Sequence, residues 1–498
     1  MIRIHLFIRV TFFFLLLLFS SEGKSQLVVP RIEWTDLPMF GEKRPDIKTG
    51  CLIVPENRSS GQRVHSIKLP FVIIKSRSAT PQPDPVLFIT GGPGGSTIVY
   101  TGMFHQSPLL DDRDIILLEQ RGNRFAKPSL LGSELDSALR SGWGTQLNGD
   151  PDPKAITQTL ATIIQSYNKD GIDLTCYTTK ESAADISDLR LLLGVKTWNL
   201  YGVSYSTKLM LTVLRDHPDG VRSVILDSVL PLEANCDEET PANIIESLEQ
   251  LFTLCQQDER LCILFPDLRK RFFHLLAEAN SHPVEISLKD PFNGKPFSVS
   301  FNGVGIMNCI YVGLEDGSVI QSLPLIIDAA CKGKFNRLEP LAINYLASTQ
   351  GTAWGMRISV WCNEEFPFER IDKILKPTGM PSELEHFIQP QVPLETMQMW
   401  PHGKPDAQEN THVSSNVPVL IASGELDPDT PTKWALQTAS FLPNAQLIIF
   451  AGYTHCPLNT HPEAARIMHD FLASPFLAPD PGKTSVRPAF FLSWEEKK

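Results

Sequence analysis

The chain has 498 residues, enough for one elaborated domain or two, and 42% apolar with 20% charged content is the balance of an ordinary globular protein. Its formal charge of −11 argues against nucleic acid as a partner, because phosphate binding needs a basic face. No long run of like charge and no repeat of fixed period stands out.

At the N-terminus, Arg3 and Arg9 precede a short, intensely apolar core over 12–19, and Ser20, Ser21, Gly23 and Ser25 follow. Charged, apolar, then small is the order of a secretory signal peptide, expected over 1–25. The apolar run is too short to span a bilayer as a retained anchor. Removing the segment takes away three cations and one anion, moving the formal charge from −11 to −13. The expectation is an exported protein, periplasmic or secreted, with no stable membrane span. In such a chain nine cysteines suggest disulfides rather than metal ligands. Cys255 and Cys262 make the nearest local pair, and the odd count leaves one thiol over, for which Cys456 beside His455 is the candidate. With no C-x-x-C pair and no H-E-x-x-H, no metal site is expected, and no cofactor.

Residues 26–50 read as irregular. Short β-branched runs at 51–55 and 67–74 look like opening strands. The continuous apolar run 86–89 suits a fully buried strand and leads into Gly91-Gly92-Pro93-Gly94-Gly95-Ser96. A second buried strand at 114–118 precedes Glu119-Gln120-Arg121-Gly122. Residues 182–193 have helical periodicity and lead through Gly194 to a strand beginning at Trp198. Then come Gly202-Val203-Ser204-Tyr205-Ser206, a helix over 207–217, and a strand over 221–226. Buried strands alternating with helices imply an α/β fold with a mostly parallel central sheet. After Asp227 the rhythm changes, with helices over 243–256 and 266–280, a hairpin around Asn293-Gly294, and more helix to about 398. That block is far longer than a crossover needs, so 232–405 is read as an inserted, mostly helical cap. The sheet resumes at 417–422 and 446–450, with helices over 432–441 and 462–472. The core is thus expected over 26–231 and 406–475, with a proline-rich tail over 476–498.

Strand, sharp turn with a serine at its tip, helix, strand is the layout of a nucleophile elbow. A serine hydroxyl needs a base, and the base an orienting acid. In chain order the acid and then the base should follow at later strand ends. Asp427, just before Pro428, follows the 417–422 strand, with Glu425 and Asp429 as alternatives. His455 follows the 446–450 strand. For a developing oxyanion the expected donors are the N–H of Tyr205 and that of Gly92 in the glycine loop, since Pro93 has none. The glycine loop lacks the G-K-[ST] of a nucleotide site. Asp227, also ending a strand, is read as structural.

Taken together, Gly91 to Ser96, Glu119 to Gly122, Tyr177-Thr178-Thr179 with Asp185 and Leu189-Arg190, Tyr201 to Tyr205, and Gly424 to Pro428 resemble the tripeptidyl aminopeptidase-like branch of the proline iminopeptidase family. Cys51 before Val54-Pro55, the Cys255/Cys262 pair and Cys362-Asn363-Glu364 resemble it too. The likeness spans about 45–475. It implies an α/β-hydrolase fold with a mostly helical cap, and serine exopeptidase activity on peptides with a free N-terminus. It also implies that a cap glutamate, best matched by Glu364 with Glu365 beside it, receives the substrate ammonium. Three positions depart from the pattern: Thr90 for His, Glu119 for Asp, and Ser206 for Gly. An esterase or amidase on the same scaffold, or an inactive hydrolase-like binding protein, are the alternative readings.

Overall fold

The computed structural model describes residues 28–37, 44–59, 65–347, 351–477 and 488–491; the expected signal segment lies outside them. Eleven strands are used below: β1 Arg31–Trp34, β2 Ile47–Pro55, β3 Ser66–Ile74, β4 Val86–Ile89, β5 Ile115–Leu118, β6 Trp198–Val203, β7 Val221–Asp227, β8 Val284–Lys289, β9 Pro296–Phe301, β10 Val419–Gly424 and β11 Ala445–Phe450. The main helices are α1 Pro153–Lys169, α2 Thr179–Leu193, α3 Tyr205–Asp216, α4 Cys236–Gln257, α5 Leu268–Ser281, α6 Gly303–Glu315, α7 Trp354–Val360, α8 Thr432–Ser440 and α9 Ala464–Ala473.

Nine strands form one sheet in the order β1-β2-β3-β5-β4-β6-β7-β10-β11. The β5, β4, β6, β7, β10 and β11 neighbours pair in parallel, and β1, β2 and β3 extend the sheet antiparallel on one side. β4 is buried at every position and β6 likewise, which is why both read as unbroken apolar runs. Separate apolar clusters pack against the sheet: Leu87, Leu200 and Leu226 belong to one, Phe88, Tyr201 and Ile225 to another. The residues alternate along each strand, so each cluster takes one face.

The order reverses at β4: β5 lies on one side of it and β6 on the other. Loops leaving the carboxyl ends of β4 and β6 therefore diverge and open a crevice, the usual ligand position in such sheets. Between β7 and β10 the chain forms helices and the separate β8–β9 hairpin. These build their own apolar cluster around Leu251, Phe272, Ile310 and Leu341.

Three expectations need correcting. The stretch 26–50 holds β1 and the start of β2, which pair antiparallel from Arg31↔Ile53 to Trp34↔Gly50; a four-residue edge strand is too short for a period to show. α4 begins at Cys236, seven residues before the expected start, with Pro241 inside it and Asp237, Glu238 and Glu239 in its first turn, where carboxylates favour the positive helix end. The expected Cys255–Cys262 disulfide is not formed: all nine cysteines are free thiols, and the Cys262 thiol donates to the Glu259 carbonyl at 3.3 Å. Of the tail, Phe491 N–H donates to the Gln321 carbonyl at 3.0 Å.

Candidate active site

β6 ends in a turn so tight that Ser204 adopts φ 55° and ψ −128° before α3 starts at Tyr205. A non-glycine residue there costs about 1–3 kcal/mol, a strain that clusters at functional sites. Two glycines make the turn possible. A Cβ on Gly202 would sit 2.6 Å from the Ser206 carbonyl oxygen, and one on Gly91 would sit 2.6 Å from the Val203 carbonyl oxygen and 2.8 Å from Ser204 Cβ. The glycine loop after β4 is thus pressed against the serine turn with nothing between. Its far end is held by buried Glu119, whose Oε2 accepts from Ser96 Oγ at 3.1 Å, Thr97 N–H at 2.9 Å and Ile98 N–H at 3.3 Å. Burial pushes the Glu119 carboxyl up, against those hydrogen bonds.

β10 and β11 deliver the other two residues. His455 Nδ1 lies 3.0 Å from Asp427 Oδ2 and 3.1 Å from Oδ1. The Asp427 carboxylate is fully buried and accepts on both oxygens: Oδ1 from the N–H groups of Asp429 and Thr430, each at 2.9 Å, and Oδ2 from the hydroxyls of Ser228 and Thr430, each at 2.7 Å. Burial alone would raise its pKa, but His455 and these donors outweigh it and hold it below the usual carboxylate range. For His455, burial disfavours the charge; Asp427 overcomes this and carries the pKa well above the ordinary histidine value. The other acids weighed in the sequence go elsewhere. Glu425 accepts from Gly452 N–H at 2.7 Å, and Asp429 accepts from the Tyr311 hydroxyl at 2.6 Å. Asp227, at the end of β7, is buried and raised to about 8 by desolvation.

Ser204, Tyr205, Gly92 and His455 all line one cavity of about 520 Å³. α6 and α7 from the 232–405 block supply Tyr311, Glu315 and Arg357 to its wall, and the loop after β10 supplies Asp429. Glu315 and Asp429 are hydrogen-bonded to each other, and burial raises both carboxyls, helped by the Asp429 charge at Glu315 and by the Asp427 charge at Asp429. The Arg357 guanidinium donates to the Gln391 carbonyl at 2.8 Å and to Gly92 O at 3.4 Å, reaching the glycine loop from α7.

Glu364 and Glu365 are not among the residues lining this cavity. Glu365 is buried in an ion pair with Lys208 of α3, and Glu364 accepts from Thr179 N–H at the start of α2. Both therefore brace the base of the serine turn, next to Tyr205, whose hydroxyl contacts Thr179 Oγ1 at 2.7 Å. Sequence reading missed Ser228, Thr430, Tyr311 and Glu315. Thr430 lay three positions past Asp427 and could have been suspected as a local hydroxyl donor. Glu315 carried no signal, because a carboxylate at the end of an amphipathic helix normally faces water. Among the described residues no cluster of His, Cys, Asp and Glu could hold a metal ion.

A nine-stranded, mostly parallel sheet with a serine turn, an acid and a histidine after the carboxyl ends of β6, β10 and β11 defines an α/β hydrolase, and a family model of the alpha/beta hydrolase fold matches residues 84–248. A model described as TAP-like protein matches 388–484, so the chain has an α/β-hydrolase fold with a C-terminal part similar to TAP-like proteins. Serine protease Hip1 of Mycobacterium tuberculosis (strain ATCC 25618 / H37Rv) is 22% identical over 390 residues, 73% of this chain and 74% of that protein. Proline iminopeptidase of Xylella fastidiosa (strain 9a5c) is 27% identical over 130 residues, 25% of this chain and 39% of that protein. The solved proline iminopeptidase of Mycobacterium smegmatis aligns over 86% of this chain and 98% of its own, at 15% identity and a TM-score of 0.40.

Proposed function

We propose that the protein is an exported serine aminopeptidase that releases N-terminal residues or short peptides through an acyl-enzyme. The observation that carries this reading is one cavity lined by Ser204, His455 and the Glu315–Asp429 carboxyl pair together. The His455–Asp427 contact uses Nδ1, so the imidazole presents Nε2 as the base. Ser204 Oγ attacks the scissile carbonyl carbon and passes its proton to His455. The tetrahedral oxyanion takes hydrogen bonds from Tyr205 N–H and Gly92 N–H. His455 then protonates the leaving amine, and water, activated by the same imidazole, releases the acyl group. Asp427 holds the ring and stabilises the imidazolium.

A free ammonium costs most to desolvate and gains most from a carboxylate partner. Glu315 and Asp429 offer that partner inside the cavity, which supports peptides with a free N-terminus over blocked ones. The block 232–405 acts as the cap that brings Tyr311, Glu315 and Arg357 over Ser204. Export rests on Arg3, Arg9 and the apolar 12–19 run; among the described residues no helix is long and apolar enough to cross a membrane.

The test is a fluorophosphonate probe on the purified protein, with the adduct mapped by mass spectrometry, followed by hydrolysis of a peptide anilide and its N-acetylated form. Adduct on Ser204 and preference for the free amine are expected. No adduct would remove every serine-hydrolase reading and leave the inactive binding protein. Adduct without amine preference would favour an esterase or amidase.

A further inference from the structure

Ser206 stands where related elbows carry glycine, and its side chain is completely buried. Its hydroxyl oxygen accepts from Val203 N–H at 2.7 Å and lies 2.6 Å from the Ile89 carbonyl oxygen, the closer of its two acceptors; the other, Val203 O, is at 2.9 Å. A hydroxyl has one proton, and the shorter contact takes it. Ile89 and Gly202 are the last registered pair between β4 and β6. The hydroxyl therefore closes the ladder at the point where the two strands part, bridging Val203 N–H to Ile89 C=O.

What departs from those two atoms is the site itself. Ile89 stands three residues before Gly92, and Val203 immediately before Ser204 and Tyr205. The loop and the turn already touch, with room at Gly91 for a hydrogen and no more. A hydroxyl that fixes the separation of β4 and β6 there also fixes the separation of the two oxyanion donors. We infer that Ser206 is a positioning residue that sets the oxyanion hole by hydrogen-bonding the end of β4 to the serine turn. The inference rests on the acyl-enzyme reading of Ser204. It gives the serine a purpose at a position where a side chain otherwise only takes up space. Thr207, the next hydroxyl, is tied differently: it donates to Ser204 O at 2.6 Å and accepts from Leu230 N–H at 2.8 Å, with no bond to β4.

The experiment compares wild type, Ser206→Ala and Ser206→Gly on the preferred anilide, with separate kcat and KM, the fluorophosphonate labelling rate, and circular dichroism as the check of fold. Losing one oxyanion donor outright costs about 100- to 1000-fold; a misplaced donor should cost about tenfold or more in kcat. KM should stay within about twofold, because ground-state contacts are untouched. Ser206→Thr, which keeps the hydroxyl, should recover more of kcat than Ser206→Ala despite its larger volume. Folded Ala and Gly variants with wild-type kcat would overturn the inference, as would equal losses in Ala and Thr. Loss of fold in both Ala and Gly variants would make Ser206 structural and overturn it too. If wild type itself takes no fluorophosphonate, it is the acyl-enzyme reading that fails, and the variants are not needed to see it.

Discussion

His455 Nδ1 sits 3.0 Å from Asp427 Oδ2, and that same oxygen is held by the hydroxyls of Ser228 and Thr430. The arrangement spends four donors on keeping Asp427 ionised, and an ionised Asp427 keeps the proton on His455. A base works only once deprotonated, so activity should rise with pH. Its acid limb should have a midpoint above the ordinary histidine value of about 6.5. D427N removes the charge that raises His455; the midpoint of kcat/KM should drop, and kcat should fall by about four orders of magnitude. A pH–rate profile of both forms reads the two effects separately. An unshifted limb in D427N would show that Asp427 does not govern His455.

The Glu315–Asp429 pair carries a prediction of its own. On the aminopeptidase reading proposed above, an arriving ammonium must draw out the ionised form of two carboxyls that burial keeps protonated above the usual range. KM for a free-amine substrate should therefore fall as pH rises, while KM for the N-acetylated analogue should not. A charged hydrogen bond is worth about 1.5–3 kcal/mol, so E315Q should reduce the preference for the free amine by about 10- to 100-fold. Tyr311 donates to Asp429, so Y311F should act in the same direction and more weakly. Unchanged discrimination in both would remove the pair from substrate recognition.

Much of this was legible in the sequence, for identifiable reasons. Strands buried on both faces, β4, β6 and β10, announce themselves as apolar runs, Asp427 follows β10 closely, and His455 lies on the loop after the last strand, β11. The parts that were not legible depend on distance across the fold. Glu364 matches a family motif, yet it sits under the serine turn against Thr179, because a helix end cannot be aimed from its own residues alone. Ser228 reaches Asp427 across 199 positions of sequence, and nothing local marks it. Ser206 departs from the elbow pattern, and of its partners Val203 N–H is local, but the Ile89 carbonyl lies across the fold on β4, where no local pattern marks it.

Buried acids away from the cavity make stability fall as pH rises. Burial raises Glu364 to about 7 and Asp227 to about 8, and raises Asp237 and Glu369, which repel one another. Unfolded, such groups release their protons near pH 4 to 4.5. Between there and pH 8 the folded state binds more protons than the unfolded one, so each unit of pH destabilises it. His455, raised as well, acts in the same sense higher up. Thermal unfolding should show its highest Tm in mildly acidic buffer and a decline toward pH 9. E369Q and D237N, which remove two of the acids, should flatten that decline. A Tm that climbs over this range would contradict the protonated state of the cluster.

The last prediction concerns Lys208 and Glu365, whose side chains are 1% and 3% exposed and which form an ion pair behind the serine turn. The Coulomb attraction of Glu365, with that of Glu364, keeps Lys208 charged against the cost of burial. Removing one partner of a buried pair leaves the other charge unmatched, a loss of about 3–5 kcal/mol. The two directions are not equivalent here. K208M strands both Glu365 and Glu364, whose Oε2 already lacks a hydrogen-bond partner. E365Q leaves Lys208 with Glu364 still nearby, which can ionise to replace the missing charge. K208M should therefore be the more destabilising in urea unfolding, and its stability should decline more steeply above pH 5 as Glu364 resists ionisation further. E365Q should instead draw the Glu364 pKa below its value of about 7. Equal losses in the two variants would mean that Glu364 does not share the Lys208 charge.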